Sequence, residues 1–258
     1  MSVRYEMRDD VAVLTLDRPD RFNAVTQELC DGLIDGLRRA GDEARAAVVT
    51  GAGKAFCSGA DLSDLMGEYE TGGPDLARVI RDRFNPMVEA LLAAPVPTVA
   101  AVNGAAAGAG MGLALACDLR VMADSAFFLS AFIGLALIPD TGTTWLLPHH
   151  IGLSRAIELT FSNRRMPAEE AERLGLTVAV TPVGEVVDRA VEVASKLADG
   201  PTAAYAATRR LLVAAAASDV AAAVEAERVA QGELGTSPAH LEGMRAFLEK
   251  RTADFRGV

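Results

Sequence analysis

The 258-residue sequence has only three cysteines and three histidines, no surplus of positive charge and no long hydrophobic run free of turn residues. Each shortage removes a class of function. Cys30, Cys57 and Cys117 are odd in number and lie in apolar surroundings, where a free thiol behaves as a small hydrophobe. No leader segment is evident, so a reducing cytoplasm is the expected compartment. His149, His150 and His240 have no metal-ligand spacing with the cysteines, which supports neither a metal site nor a cysteine–histidine nucleophile. The adjacent His149 and His150 point in different directions on a helix and read as surface or interface residues. With 25 Lys and Arg against 35 Asp and Glu, the net charge is −10, and no basic stripe is left to meet a nucleic-acid backbone. The stretch between Glu89 and Asp118 is uncharged, but Pro95, Pro97, Asn103 and four glycines interrupt it and alanine dominates its side chains. It reads as a buried strand, turn and helix rather than a membrane span.

What is present is a core-forming chain. Half of the residues are hydrophobic, enough for one large domain. Short apolar runs at residues 11–16, 46–50, 98–102 and 119–122 are bounded by turn residues and predict buried strands. Leu29, Cys30, Leu33, Ile34 and Leu37 fall at helical spacing between the first two runs, and Ile80, Phe84, Met87, Val88 and Leu91 repeat that spacing before the third. This alternation predicts an α/β fold with mainly parallel pairing. Pro86 predicts a kink or break near Asn85. Residues 63–76, acidic and glycine-containing, read as a mobile loop. Strands should stop near residue 183, followed by helices over 202–217, 219–234 and 238–250, with Pro201 as a first helical residue. No internal repeat is detectable.

Two segments carry the chemistry. Ala55-Phe-Cys-Ser-Gly-Ala-Asp-Leu62 and Val102-Asn-Gly-Ala-Ala-Ala-Gly-Ala-Gly-Met-Gly-Leu113 each break an apolar strand into a glycine-rich turn that re-enters a helix. Such turns leave backbone N–H groups unpaired and aimed outward, and two together can make an oxyanion hole for a reacting carbonyl. Other glycine motifs fail. Gly108 and Gly110 fit the first two positions of the dinucleotide fingerprint, but Leu113 stands at the third, and Gly53-Lys54 lacks the remainder of a P-loop. Glycine turns of purely structural purpose are the competing explanation.

Together with Leu137-Ile-Pro-Asp-Thr-Gly-Thr-Thr-Trp-Leu-Leu147, these turns resemble the crotonase superfamily, also called the enoyl-CoA hydratase/isomerase family. Leu16-Asp-Arg-Pro-Asp-Arg-Phe-Asn-Ala24 and Glu242-Gly-Met-Arg-Ala-Phe-Leu-Glu-Lys-Arg251 extend the resemblance to both ends. It implies a crotonase-like ββα spiral core, expected over residues 1–200, and a C-terminal helical segment over 201–258 that packs on a homotrimer or dimer of trimers. It also implies an acyl-CoA substrate and no cofactor, metal or redox group. The thioester oxygen would be held by the N–H groups of Ala60 and Ala109. Ala60, Asp61, Leu62 and Ser63 would line the adenine pocket, with Ala24 near the pantetheine entrance. Arg21 either meets CoA phosphates or is simply solvated, and Phe247 with Lys250 would reach an adjacent subunit's CoA from one face of a helix.

The departures bear on reaction type. Hydratases of the family hold water between two glutamates, and the resemblance puts Gly112 and Phe132 at those positions, neither able to move a proton. Asp140 remains. Members with an acidic residue there include double-bond isomerases of the phenylacetate-degradation type, which the segments 84–88, 107–110 and 137–147 most resemble. Asp140 is either the acid–base group or a cap for a helix starting at Thr141. The resemblance therefore implies an isomerase of 2-/3-enoyl-CoA first, a hydratase second, and an acyl-CoA-binding protein without turnover third. The acyl pocket would come from residues 63–84 and 127–137.

Overall fold

The computed structural model describes residues 2–66 and 72–258. A hairpin opens the chain, with β1 (Val3–Arg8) antiparallel to β2 (Val11–Leu16). The amphipathic α1 (Gln27–Glu43) follows, capped by the Thr26 hydroxyl, which accepts from the Leu29 N–H. It buries Leu29, Cys30, Leu33 and Leu37, four of the five residues read at helical spacing. The next strands come in pairs. β3 (Ala46–Gly51) is followed by β4 (Ala55–Cys57), β5 (Thr98–Val102) by β6 (Ala105–Ala107), and β7 (Leu119–Ala123) by β8 (Phe127–Leu129).

The first member of each pair joins a six-stranded sheet of order β1-β2-β3-β5-β7 and then β10 (Ala179–Thr181), parallel from β2 onward. The second joins a four-stranded sheet of order β4-β6-β8-β9, in which β9 (Met166–Pro167) runs antiparallel to β8. Each pair leads into helical chain: α2 (Leu76–Val79) and α3 (Asn85–Leu92) after β4, α4 (Ala109–Ala116) after β6, and α5 (Thr143–Ile151) with α6 (Leu153–Ser162) after β8. This is the ββα spiral that the resemblance implies. It is a repeat of structure with no counterpart legible in the residues themselves.

The four predicted strands are present and lie side by side as β2, β3, β5 and β7. The last strand is β10 (Ala179–Thr181), close to the expected end near residue 183. The uncharged stretch is a buried strand, turn and helix, and every residue of α4 is buried. Among the described residues no helix is long and apolar enough to cross a membrane. Pro86 does not break its helix. A π turn over Ile80–Phe84, closed by the Asn85 N–H donating to the Ile80 carbonyl, runs directly into α3, so helical backbone passes through Pro86 with its irregularity taken up just before it. The stretch 63–76 falls partly outside the described residues, and its described beginning is a 3-10 turn over Leu62–Leu65.

After α7 (Ala168–Arg173), α8 (Val186–Ala198) packs against β3, β5 and β7. The tail consists of α9 (Thr202–Ala215), α10 (Val220–Leu234) and α11 (Pro238–Glu249). Four boundaries differ from the sequence expectation. Pro201 is the cap rather than a helical residue, α9 ends at Ala215 rather than 217, Asp219 caps α10 by accepting from the Ala222 N–H at 2.8 Å, and Lys250 leaves α11 in left-handed backbone, φ 55°. Phe247 and Lys250 therefore do not share one helical face, although Phe247 is 77% exposed.

Candidate active site

The first turn is held by polar side chains. Asn23, fully buried and at φ 57°, accepts from the Arg18 N–H at 2.9 Å and donates to the carbonyls of Ala52 and Ala55 at 2.9 and 2.8 Å. That pins the segment 18–25 beside β4. Val25 N–H donates to the Gly59 carbonyl at 2.8 Å and Asp61 N–H to the Val25 carbonyl at 3.1 Å. In this parallel bridge between Val25 and Ala60, the N–H of Ala60 is the group turned away from the pairing. Asp61 locks the far end: its carboxylate meets Arg18 at 2.9 Å and accepts from the hydroxyl and N–H of Ser63. The Ser63 hydroxyl, aided by Arg18, holds its carboxyl below the usual range.

The second turn is held by close backbone approach. The Asn103 side chain accepts from the Gly51 N–H at 3.2 Å and donates to the Gly53 carbonyl at 3.0 Å. Gly108 has φ 52° and ψ −123°, a conformation open to glycine and hostile to other residues. Its N–H donates to the Leu129 carbonyl, and its carbonyl accepts from Met111 as α4 begins. The Ala109 N–H stands at the first position of that helix, with no intrahelical partner. Among the described residues neither Ala60 N–H nor Ala109 N–H finds an acceptor. The turns touch, since a Cβ on Gly59 would lie 3.0 Å from the Ala107 carbonyl oxygen and 3.4 Å from the Ala109 nitrogen.

A third segment, residues 130–143, closes over these turns. A Cβ on Gly108 would lie 3.9 Å from the Phe132 ring, so Phe132 stands beside the second turn. The loop is fastened by Asn163, whose side chain accepts from the Ala131 N–H at 2.9 Å. Asp140 is half-buried, and it does not cap a helix. The helix starts at Thr143 with Gly142 as its cap, and the Asp140 carboxylate instead accepts from the Thr141 hydroxyl at 2.5 Å. Burial pushes the Asp140 carboxyl up, partly opposed by that hydrogen bond. Thr141 packs on α4: a Cβ on Gly112 would lie 2.8 Å from the Thr141 Cβ and 3.0 Å from its Cγ2. Gly112 is three residues beyond Ala109, so Thr141, which follows Asp140, meets α4 about one helical turn, roughly 5 Å, along the axis from the free N–H.

The arrangement offers two main-chain donors side by side and one desolvated carboxyl near them. Of the other candidates, Ala24, Arg21, Leu62 and Ser63 belong to the segments that build the first turn, whereas Phe247 and Lys250 stand at the end of α11. Ala24 is buried, with its carbonyl accepting from Arg18 at 2.6 Å, while Arg21, Leu62 and Ser63 are exposed. Sequence reasoning misses Asn23, Arg18, Thr141 and Asn163. Left-handed backbone at Asn23 and Asn163 is the available signal, and asparagine is enriched there.

The cysteines are free and buried, and burial pushes all three thiols up to about 12. Among the described residues no group of three or more His, Cys, Asp and Glu could hold a metal ion. His149 and His150 both reach the surface, but their rings have different neighbours and the His150 ring is the more enclosed. His149 stacks on Trp145 with ring centroids 4.1 Å apart, whereas burial near Leu115 and Arg120 pushes the His150 imidazole down to about 4.

The enoyl-CoA hydratase/isomerase family model matches residues 6–258. A Rhodobacter capsulatus protein named "Probable enoyl-CoA hydratase" is 43% identical over 99% of this chain and 98% of its own. The Escherichia coli 1,2-epoxyphenylacetyl-CoA isomerase is 37% identical over 96% of this chain and 95% of its own. The crystal structure of an enoyl-CoA hydratase from Polaromonas superposes with a TM-score of 0.91 at 31% identity, covering 98% of this chain and 99% of that one.

Proposed function

The chain belongs to the enoyl-CoA hydratase/isomerase family, and within it we propose an isomerase that moves a double bond between the 3,4 and 2,3 positions of an enoyl-CoA thioester. The observation that carries this reading is the seat of Thr141 on Gly112. Thr141 fills the place into which a side chain at position 112 would project, so no proton-transferring group can stand there, and Phe132 is apolar. Asp61 at the first turn is tied up with Arg18 and Ser63, and among the described residues Asp140 is the carboxyl beside this contact that no ion pair engages.

In the proposed reaction the thioester oxygen lies between the N–H groups of Ala60 and Ala109, which stabilise the charge that develops on it. The Asp140 carboxylate takes a proton from C2 of a 3-enoyl thioester, giving a dienolate, and the same proton is returned to C4. Atoms and charge balance without a co-reactant, and the step requires no cofactor. Desolvation raises the basicity of Asp140, which suits it to both halves of the transfer. CoA would run past Ala60, Asp61, Leu62 and Ser63, with Ala24 at the pantetheine and Arg21 at a phosphate. Phe247 and Lys250 would serve a neighbouring copy in a trimer or dimer of trimers, with residues 201–258 as the assembling segment. A cytoplasmic enzyme is the compartment proposed.

The Rhodobacter relative's name favours hydration, and Gly112 with Phe132 argues against it. Incubation with matched 3-enoyl-CoA and 2-enoyl-CoA, followed by product analysis, separates the readings. The isomerase reading expects 2-enoyl-CoA from the first and little 3-hydroxyacyl-CoA from the second. Faster hydration than isomerisation would replace it with a hydratase, and no turnover of either would leave a binding protein.

A further inference from the structure

Thr141 stands in backbone that a β-branched residue rarely adopts. Its φ is 53° and that of Gly142 is 73°, while the Thr143 N–H closes back on the Asp140 carbonyl at 2.9 Å. Positive φ at both central residues is the pattern of a type I′ turn, which favours asparagine or glycine at the first of them. A threonine there is strained, and such strain persists where surrounding structure over-determines it. Here Gly112 provides the seat for the side chain, which is 1% exposed, and the hydroxyl donates to Asp140 Oδ1 at 2.5 Å.

We propose that Thr141 is a positioning residue: the turn holds it in strained backbone so that its hydroxyl fixes the Asp140 carboxylate in place. This rests on the reading of Asp140 as the acid–base group. Among the described residues, charged groups around the carboxyl are sparse. α4 and residues 130–139 contain no titratable side chain. α5 brings His149 and His150, two turns further along. Val88 packs on Gly142 from the segment that also holds Arg81, Asp82, Arg83 and Glu89. Burial and the Thr141 hydroxyl are what set the ionisation of Asp140.

The test compares Thr141→Val, which keeps shape and β-branching but removes the donor, with Thr141→Ser, which keeps the donor. Isomerisation of a 3-enoyl-CoA is followed from pH 5 to 9, with Asp140→Asn as the control. Thr141→Val is expected to lower kcat by about tenfold near neutral pH with little change in KM, and to move the acid limb upward by about one pH unit. Thr141→Ser should recover most of the rate and the wild-type limb. If Thr141→Val does not fold, Thr141→Ala gives the same reading with a smaller side chain. A Thr141→Val or Thr141→Ala enzyme with wild-type kcat and an unmoved acid limb would overturn the positioning role. Full activity in Asp140→Asn would instead overturn the underlying mechanism.

Discussion

The wall of the candidate site that holds Ala60 and Ala109 is made of main chain, whereas the adjoining wall, with Phe132, Asp140 and Thr141, presents side chains. The first is set by where strands end and how closely two glycine turns approach. Its alanine side chains contribute no chemistry, and the residues that fix it, Arg18, Asn23 and Asp61, are bound up in hydrogen bonds of their own. The second depends on single atoms: one carboxyl, one hydroxyl and one ring. Donor geometry on the first wall should therefore yield only to changes of backbone, while reaction type on the second should turn on individual functional groups.

The largest expected effect comes from forcing the turns apart. Gly59 has φ 99°, and a side chain there would press on the backbone of Ala107 and Ala109. Gly59→Val should reduce isomerisation by roughly a thousandfold or more, because losing one oxyanion donor already costs about a hundred- to a thousandfold and this change disturbs both. Steady-state rates beside a far-UV CD spectrum check it. A folded variant with wild-type kcat would break the distinction between the walls, since backbone geometry would then not matter.

Next comes an attempt to convert the second wall. Gly112→Glu puts a carboxyl where a hydratase would carry one, but its Cβ would collide with Thr141. The expected result is a loss of about tenfold or more in isomerisation, a stability decrease of about 1–3 kcal/mol from overpacking, and no gain in hydration. Appearance of 3-hydroxyacyl-CoA above the wild-type level would show that the collision is relieved and that this contact does not fix the reaction type.

The smallest effect on rate belongs to the clamp behind the first turn. Asp61→Ala leaves Arg18 without its carboxylate at a largely buried pair, which should cost about 3 kcal/mol of stability while kcat changes only a few-fold. The sign with pH follows from the lowered carboxyl pKa. The wild type gains this stability above the unfolded aspartate value, about 3.9, and loses it as pH falls through the lower folded value. Urea melts at pH 7 and pH 3 should therefore differ less in the variant than in the wild type.

The same contrast governs which parts of the molecule are legible in its sequence. Apolar runs such as 46–50 and 98–102 announce themselves because a strand buried on both faces is continuously hydrophobic. The second sheet does not. β4, β6, β8 and β9 are two or three residues long, too short for periodicity, so the spiral repeat stays hidden while the large sheet is visible. In the site, glycines mark the main-chain wall plainly. The side-chain wall is half legible: Asp140 stands out by the resemblance, but whether it caps a helix depends on a boundary two residues away. The helix begins at Thr143, and the reason is the left-handed pair Thr141–Gly142. No sequence rule expects a threonine in that conformation, and so the residue that touches the proposed acid–base group escapes a reading of the sequence.

The most direct measurement is the rate and product distribution of Asp140→Asn on paired 3-enoyl-CoA and 2-enoyl-CoA. Asparagine keeps the shape and an acceptor for the Thr141 hydroxyl while removing the base. Isomerisation should fall by about a hundredfold or more, in the range for losing a positioned acid–base group. Stability should hold or rise. The native carboxyl, with its raised pKa, keeps its proton more tightly than the unfolded one, so ionising it as pH rises past the unfolded value destabilises the fold, and asparagine removes that burden at pH 7. In the wild type, the rate on 3-enoyl-CoA should decline as pH drops through that raised value. An Asp140→Asn enzyme that isomerises 3-enoyl-CoA at near wild-type rate, or a wild type that hydrates 2-enoyl-CoA faster than it isomerises, would contradict the proposed mechanism.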